Sequence, residues 1–384
     1  MIRVRNVQPR SFKERTNLPG TRDNPFDRIL HFDRWVTKVP LIVFWVLFAA
    51  IAWAASHLQI SQALVLVGFF VIDYVLLFCL PVFEISFGPV KPVWLMLAGL
   101  RSLFWLLPTP INLGFEAAGV LLIVYGFYIE PQWLKVSHFS IESEKLPPQS
   151  RIKILHLGDL HMERRTKREE RILKVMEEEK PDLILFSGDF LSLSFLHEEK
   201  AHAELRAFLE SLHARLGVYG VTGSPAVDLS ELFPALVSKS GLTLLNDQEI
   251  AIKSGATTLA LTGLSCSHNP DKDFATLQGF HSATENFSIL LYHAPDIAPL
   301  TCDAGFDLQL SGHTHGGQIR IPGLGALYSA SLYGRLFEAG LYRLKQMTLF
   351  VTHGIGLEGA SAPRVRLFCR PEIAFFSIQN QEPS

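Results

Sequence analysis

The sequence predicts an α/β layered domain preceded by a helical, membrane-spanning region. Three observations carry this expectation. The first third of the chain holds four long apolar stretches. From Arg151 onward, short strand-like runs alternate with amphipathic helix and then continue mostly as strands. Finally, 48% of the 384 residues are hydrophobic and the mean hydropathy is +0.22, high for a wholly soluble enzyme.

Residues 1–38 form a basic leader. It holds nine Lys/Arg (Arg3, Arg5, Arg10, Lys13, Arg15, Arg22, Arg28, Arg34, Lys38) against four acids. The short loops that follow carry few positive charges, so the bias predicts a cytoplasmic amino terminus. The leader either touches anionic lipid or is simply solvated.

Residues 39–130 read as a transmembrane region of about four helices. The runs are "LIVFWVLFAAIAWAA" at 41–55, "ALVLVGFFVIDYVLLFCLPVF" from Ala63, "PVWLMLAGLRSLFWLLP" at 92–108 and "AAGVLLIVYGFYI" ending at Ile129. The first lies too far in to be a cleavable signal peptide. Asp73 and Arg101 interrupt the second and third. Each would cost on the order of 2.5–3.5 kcal/mol in lipid; they read either as a polar pathway or intramembrane pair or, as expected here because two isolated charges make a poor transport route, as residues near helix ends or against neighbouring helices. Four spans return the chain to the cytoplasm; a re-entrant third segment would reverse the side.

Residues 131–150 read as a connecting segment with one edge strand, and residues 151–380 as the layered domain. "IKILHL" and "DLILFS" are strands flanking the amphipathic helix "TKREERILKVMEEE". A helix around 198–215 and the strand "GVYGVT" follow, then "TLALTG", "FSILLYH", "FDLQLSG", "QMTLFVTHG" and "IAFFSI", all strand-like. A net charge of −2 gives no indication of nucleic-acid binding. Cys79, Cys266, Cys302 and Cys369 make no CxxC pair, which argues against a zinc knuckle or a disulfide framework and suits reduced thiols.

The strands end in polar tips. "HLGDLH" supplies Asp159 and His161, "FSGDF" Asp189, "LYHAPD" His293, and "SGHTHGG" His313 and His315. In layered α/β folds, sites gather at the carboxyl ends of strands. Two carboxylates and four imidazoles make a mixed N/O donor set suited to Mn, Fe or Zn. Gly158, Gly188 and Gly312 let the backbone turn at each tip. A lone GD or HxH is usually a turn or a hydrogen-bonded histidine; the ordered series after successive strands is what points to metal.

This series resembles the calcineurin-like metallophosphoesterases over roughly residues 150–380, most specifically at "GDLH", "PDLILFSGD", "HAPD" and "GHTHGGQI", with "THGIG" and "RLFCRPEIAFF" beyond. The resemblance implies a two-sheet, four-layer αββα sandwich holding two divalent ions, Mn, Fe or Zn. It implies that Asp159, His161 and His315 hold one ion, that Asp189 bridges, and that His293 and His313 hold the second. Paired ions roughly 3.5–4 Å apart then activate water and polarise the phosphoryl group.

The pattern breaks at one motif. Where the family has GNH followed by an acid, this chain has "GSPAVD". Ser224 replaces the asparagine ligand, and Pro225 replaces the histidine that protonates the leaving group. Proline has no such proton, and a general acid is typically worth about 10²–10⁴-fold. Asp228 and His268 are the candidate substitutes. Arg164 and Arg165, in "ERRTKREER", are candidates for gripping phosphate, although a solvated helix start explains them equally well.

The resemblance implies a metal-dependent phosphoester or phosphoanhydride hydrolase; with the apolar runs and the leader's charge, the expectation is a membrane-tethered, multi-pass protein of the bacterial inner membrane with its catalytic domain in the cytoplasm. Its partners would be the lipid bilayer and a phosphorylated, amphiphilic substrate. UDP-2,3-diacylglucosamine, an intermediate of lipid A synthesis, is the nearest analogy. The alternative is a catalytically impaired binding or scaffold protein.

Overall fold

A computed structural model describes residues 5–6, 35–85, 89–281, 285–357 and 364–380. Most of the basic leader lies outside the described residues. The helical region contains α1 (Leu41–Ala55), α2 (Ile60–Cys79), α3 (Val90–Phe104) and α4 (Ile111–Ile123). A π-helical turn, Val124–Ile129, and a short 3-10 turn prolong α4. Among the described residues, two continuous helices, Ile60–Phe83 and Ile111–Gln132, are long and apolar enough to cross a membrane. α1 and α3 have 15 residues each, about 22 Å at 1.5 Å per residue, short of a bilayer's roughly 30 Å core. The expectation of four spans is thus met by two helices of full length. The first run is itself only the 15 residues of α1, and the chain turns just beyond it, where His57 and Leu58 take positive φ; α3 ends at Phe104, before the third run does, and Pro108 and Pro110 stand before α4.

The bundle is inverted relative to a soluble one. Ile42, Val46, Leu64, Val82, Leu106 and Leu121 are each at least 65% exposed, while Asp73, Arg101 and Glu116 are enclosed. Arg101 grips Asp73 through two bonds, at 2.5 and 2.7 Å, and also pairs with Glu116. Trp105 Nε1 donates to the second Glu116 oxygen at 3.0 Å. Asp73 and Arg101 are therefore mutual partners, not two isolated charges.

The remainder is a two-sheet sandwich. One sheet has the order β2-β15-β3-β4-β5-β6, from Lys135–Glu142, Glu372–Gln379, Arg151–Leu157, Leu183–Phe186, Val218–Gly220 and Leu242–Leu244. The other has the order β1-β13-β14-β10-β9-β8-β7, from Arg5–Asn6, Gly340–Leu344, Met347–Val351, Leu308–Ser311, Phe287–Tyr292, Thr257–Leu264 and Gln248–Ser254. A two-stranded ribbon, β11-β12 (Arg320–Ile321, Gly325–Ala326), stands apart. Ile154, Leu185, Leu261, Leu291, Leu310 and Phe350 fill the space between the sheets. On the outer face of the first, α5 (Lys167–Glu179) and α6 (Glu199–Glu210) bury Ile172, Met176, Leu205 and Phe208 against Leu155, Leu157 and Phe186. Leu277, Ile297 and Ala298 cover Leu290, Tyr292 and Leu349 on the outer face of the second. The result is the expected four-layer αββα order.

α5 starts where its sequence says: the Thr166 backbone N–H and the Glu169 carboxylate close a capping box. The edge strand expected within 131–150 is β2, which pairs along all eight residues with β15. Within the sheets β3, β4 and β5 run parallel, as do β8, β9 and β10. Their carboxyl ends therefore open at one rim.

Candidate metal centre

Each predicted tip arrives at that rim. Asp159 and His161 follow β3, Asp189 follows β4, Ser224 follows β5, His268 follows β8, His293 follows β9, and His313 and His315 follow β10. Two buried triads result, Asp159–His161–His315 and Asp189–His293–His313, each with ligand atoms within 4.8 Å of one another. Asp189 lies between them. Its Oδ2 is 3.6 Å from His161 Nε2 and 3.3 Å from His293 Nε2.

Three properties fit a bound cation. First, polar atoms are buried without partners: Asp159 Oδ2 and His313 Nε2 accept and donate nothing, a cost of about 1–3 kcal/mol each when left so. The Nε2 atoms of His161 and His315 face each other at 2.9 Å. Second, burial holds His313 and His315 well below the usual imidazole range, leaving both as neutral donors. Third, the backbone is strained. Asp159, His161, Asp189, His313 and His315 all take φ between 43° and 71°, where non-glycine residues cost roughly 1–3 kcal/mol. His293 alone of the six avoids it.

Neighbours hold the set in place. The Ser187 carbonyl accepts from His293 Nδ1 at 2.9 Å, which turns Nε2 toward Asp189. The His313 backbone N–H donates to Asp159 Oδ1 at 2.8 Å. Gly223 and Gly312 admit the carboxylates: a Cβ there would stand 2.2 Å from Asp189 Oδ1 and 2.6 Å from Asp159 Oδ2 respectively. Of the glycines expected to turn sharply, Gly188 has positive φ (97°), whereas Gly158 and Gly312 are required by close approach.

The altered motif also converges here. Ser224 donates its backbone N–H to Asp189 Oδ1 at 2.6 Å, and its hydroxyl reaches Asp189 Oδ2 and His293 Nε2, both at 3.2 Å. Pro225 is exposed. Asp228 is enclosed and receives the backbone N–H groups of Asp189 (2.8 Å), Phe190 (3.0 Å) and Gly223 (2.8 Å). Burial and the Asp189 charge push its carboxyl up to about 7 against those donors. The His268 ring lies 4.5 Å from that of His313, tilted, and 6.1 Å from that of His293, edge-on, with Nε2 unpartnered, and burial lowers it to about 4.

Of the two arginines, Arg164 is clamped by Glu198 at 2.7 and 2.5 Å over the Phe195 ring. Arg165 is half-buried, with Nε enclosed and unpartnered. Sequence reasoning missed Arg168, one turn on. It shares with His161, Glu163, Arg164, Leu357 and Ile85 a narrow cleft beside the first triad. Arg168 is buried, its Nε pairs with Glu169 at 2.7 Å, and its Nη1 is unpartnered.

Residues 152–317 match the family model of the calcineurin-like phosphoesterases. Similar proteins include an uncharacterized metallophosphoesterase, YkuE, of Bacillus subtilis, 29% identical over 281 residues, 70% of this chain and 94% of that protein. A transmembrane protein with metallophosphoesterase domain of Danio rerio is 30% identical over 273 residues, 66% of this chain and 59% of that protein. The UDP-2,3-diacylglucosamine pyrophosphatase LpxG of Chlamydia muridarum is 23% identical over 324 residues, 67% of this chain and 93% of that protein. Residues 152–317 thus form a calcineurin-like phosphoesterase domain, and the chain has metallophosphoesterases as relatives. The fold implies divalent metal ions, and the two triads are its candidate binding groups.

Proposed function

We propose that this protein is a membrane-tethered, metal-dependent hydrolase that cleaves a phosphoanhydride or phosphoester in an amphiphilic, lipid-linked or nucleotide-linked substrate. The observation that carries the reading is the pair of buried, strained triads with orphaned polar atoms. Asp159, His161 and His315 would hold one ion, and His293 and His313 the other, with Asp189 between them and the Ser224 hydroxyl beside the second. Mn, Fe or Zn bound there would supply a nucleophile at neutral pH and polarise the phosphoryl oxygens.

What this chain's residues lack supports one substrate class over another. Asp228 is occupied by three amides and serves to fix the Asp189 turn. His268 is enclosed and stays unprotonated down to about 4, a poor proton donor at neutral pH. Pro225 has nothing to give. A leaving group that departs without protonation, as in a phosphoanhydride, suits such a site. The cleft from His161 to Ile85 is too narrow for a lipid chain, but it sets the site beside the helical region, which suits an amphiphile approaching from there. Its wall joins a triad member to the turn between α2 and α3, with the spare Arg168 donor for an oxyanion and Leu357 as an apolar surface. The name of the LpxG relative describes cleavage of such a lipid-linked phosphoanhydride.

The test is detergent-solubilised full-length protein with Mn²⁺, offered UDP-2,3-diacylglucosamine and bis(p-nitrophenyl) phosphate. Nucleotide or nitrophenol release that disappears in Asp189→Ala supports the proposal; no release from either substrate by metal-loaded protein defeats it. The second reading, a metal-holding module without turnover, is favoured by Pro225 alone and predicts that latter result. An active site facing the cytoplasm, at the inner membrane of a bacterium, is the topology this reading favours from the leader's charge.

A further inference from the structure

The membrane helix that precedes the sandwich is joined to the first triad by one short segment, residues 364–369. Gly126 lies in the π-helical turn that prolongs α4. Its carbonyl accepts the Arg366 backbone N–H at 3.0 Å. The contact is close: a Cβ on Gly126 would stand 2.7 Å from Val365 Cγ2 and 3.2 Å from the Arg366 carbonyl oxygen. One turn further, the Glu130 carboxylate, 1% exposed, accepts the backbone N–H groups of Phe368 at 2.7 Å and Cys369 at 2.6 Å.

From this anchored segment the Arg366 side chain runs inward. It is fully buried and meets no carboxylate among its hydrogen bonds. Nη1 donates to the carbonyls of His315 (3.2 Å) and His353 (2.6 Å), and Nη2 to those of Gly354 (3.2 Å) and Gly356. Cys369 Sγ adds a contact to the His315 carbonyl at 3.3 Å. The 354–356 turn in turn touches Asp159: the Gly356 N–H donates to the Asp159 carbonyl at 2.6 Å. One guanidinium therefore ties together the backbones that present Asp159 and His315, two members of the same triad. Burying a cation on carbonyls and a thiol, with no carboxylate among its hydrogen bonds, is costly, and π-turns concentrate at functional positions.

We propose that Arg366 is a positioning residue for the first metal site, and that Gly126 and Glu130 make the membrane helix part of that site's frame. This rests on the metal-binding reading above. The helix end sets the segment, the segment sets Arg366, and Arg366 sets the His315 and Asp159 turns. The second triad, Asp189–His293–His313, has no direct bond to Arg366.

The experiment is calorimetric titration of chelator-stripped, full-length protein in detergent with Mn²⁺, for wild type, Arg366→Lys, Glu130→Gln and Gly126→Leu. The expected result is two ions in wild type and, in the variants, a tenfold or greater weakening of one ion with the other unchanged. Melting curves of the stripped variants show whether each still folds; Glu130→Gln, nearly isosteric, keeps the test open if the bulkier changes do not. Unchanged affinities at both sites in folded Arg366→Lys and Glu130→Gln overturn the inference alone. Equal weakening of both sites also overturns it, since that is a general structural effect. Wild type that takes up no Mn²⁺ defeats the metal reading, and this inference with it.

Discussion

Two regions of this molecule bury charge, and they do it differently. In the helical bundle, Arg101 is matched by Asp73 and Glu116, and Trp105 takes up a remaining carboxylate oxygen. At the rim of the sandwich, Asp159 Oδ2 and His313 Nε2 have no partner, and five of the six clustered residues hold strained backbone. Buried charge that is satisfied from within serves architecture. Buried charge left open, on backbone distorted to present it, is arranged for something brought from outside. The contrast separates a self-satisfied ion cluster from one left open, without appeal to residue type, since both contain carboxylates and basic groups.

The sharpest break in this contrast is Asp189→Ala. It removes the group between the triads, and we expect activity to fall by more than about 100-fold, above the 10–100-fold typical of outer partners; metal content by elemental analysis should fall with it while the fold melts normally. Arg101→Leu should do the converse. It strands Asp73 and Glu116 in the bundle and should destabilise the protein by about 3–5 kcal/mol, read by thermal unfolding in detergent, with metal content per folded molecule unchanged. Next comes Asp228→Asn, which withdraws the carboxylate that receives three amides beside Asp189. Activity on bis(p-nitrophenyl) phosphate should drop about 10–100-fold.

Ser224→Asn runs in the opposite direction. It supplies the amide oxygen that the family places there, and the weaker Mn²⁺ affinity should tighten by up to about tenfold, measured by calorimetry. The smallest effect concerns Glu372. Burial alone would raise its carboxyl, but the His353 charge and Lys135 outweigh burial and hold it below the usual range. Its pairing therefore stabilises the fold at neutral pH, and this benefit is lost as pH falls below about 4.3, the unfolded value. Glu372→Gln should flatten the acid limb of a plot of melting temperature against pH.

Much of the candidate site was legible because each clustered side chain follows directly on a buried strand, so a short motif carries both the chemistry and its placement. "GDLH" and "GHTH" could be read this way. Arg366 and Glu130 could not. Their partners are backbone carbonyls and amides, which every residue has, and Glu130 meets its partners 238 and 239 positions away. Arg168 was hidden for another reason: a charge run at a helix start looks solvated, and only the fold turns one member inward. In the fold, β7 and β13 escaped notice because their half-exposed patterns lack a buried run. The spans were overcounted, since a 15-residue apolar run such as 41–55 is apolar enough for lipid yet too short to cross it alone, and the third run outlasts its helix.

One small element sets a rule of parity. Arg5 and Asn6 are paired in parallel with Tyr342 and Arg343 at the margin of the larger sheet. Backbone hydrogen bonds cannot reach through a lipid layer, so the first strand and the sandwich it joins lie on the same side of any layer the helices enter. If the helices cross a bilayer as proposed above, this pairing requires an even number of crossings, and an odd count would have to detach that first strand.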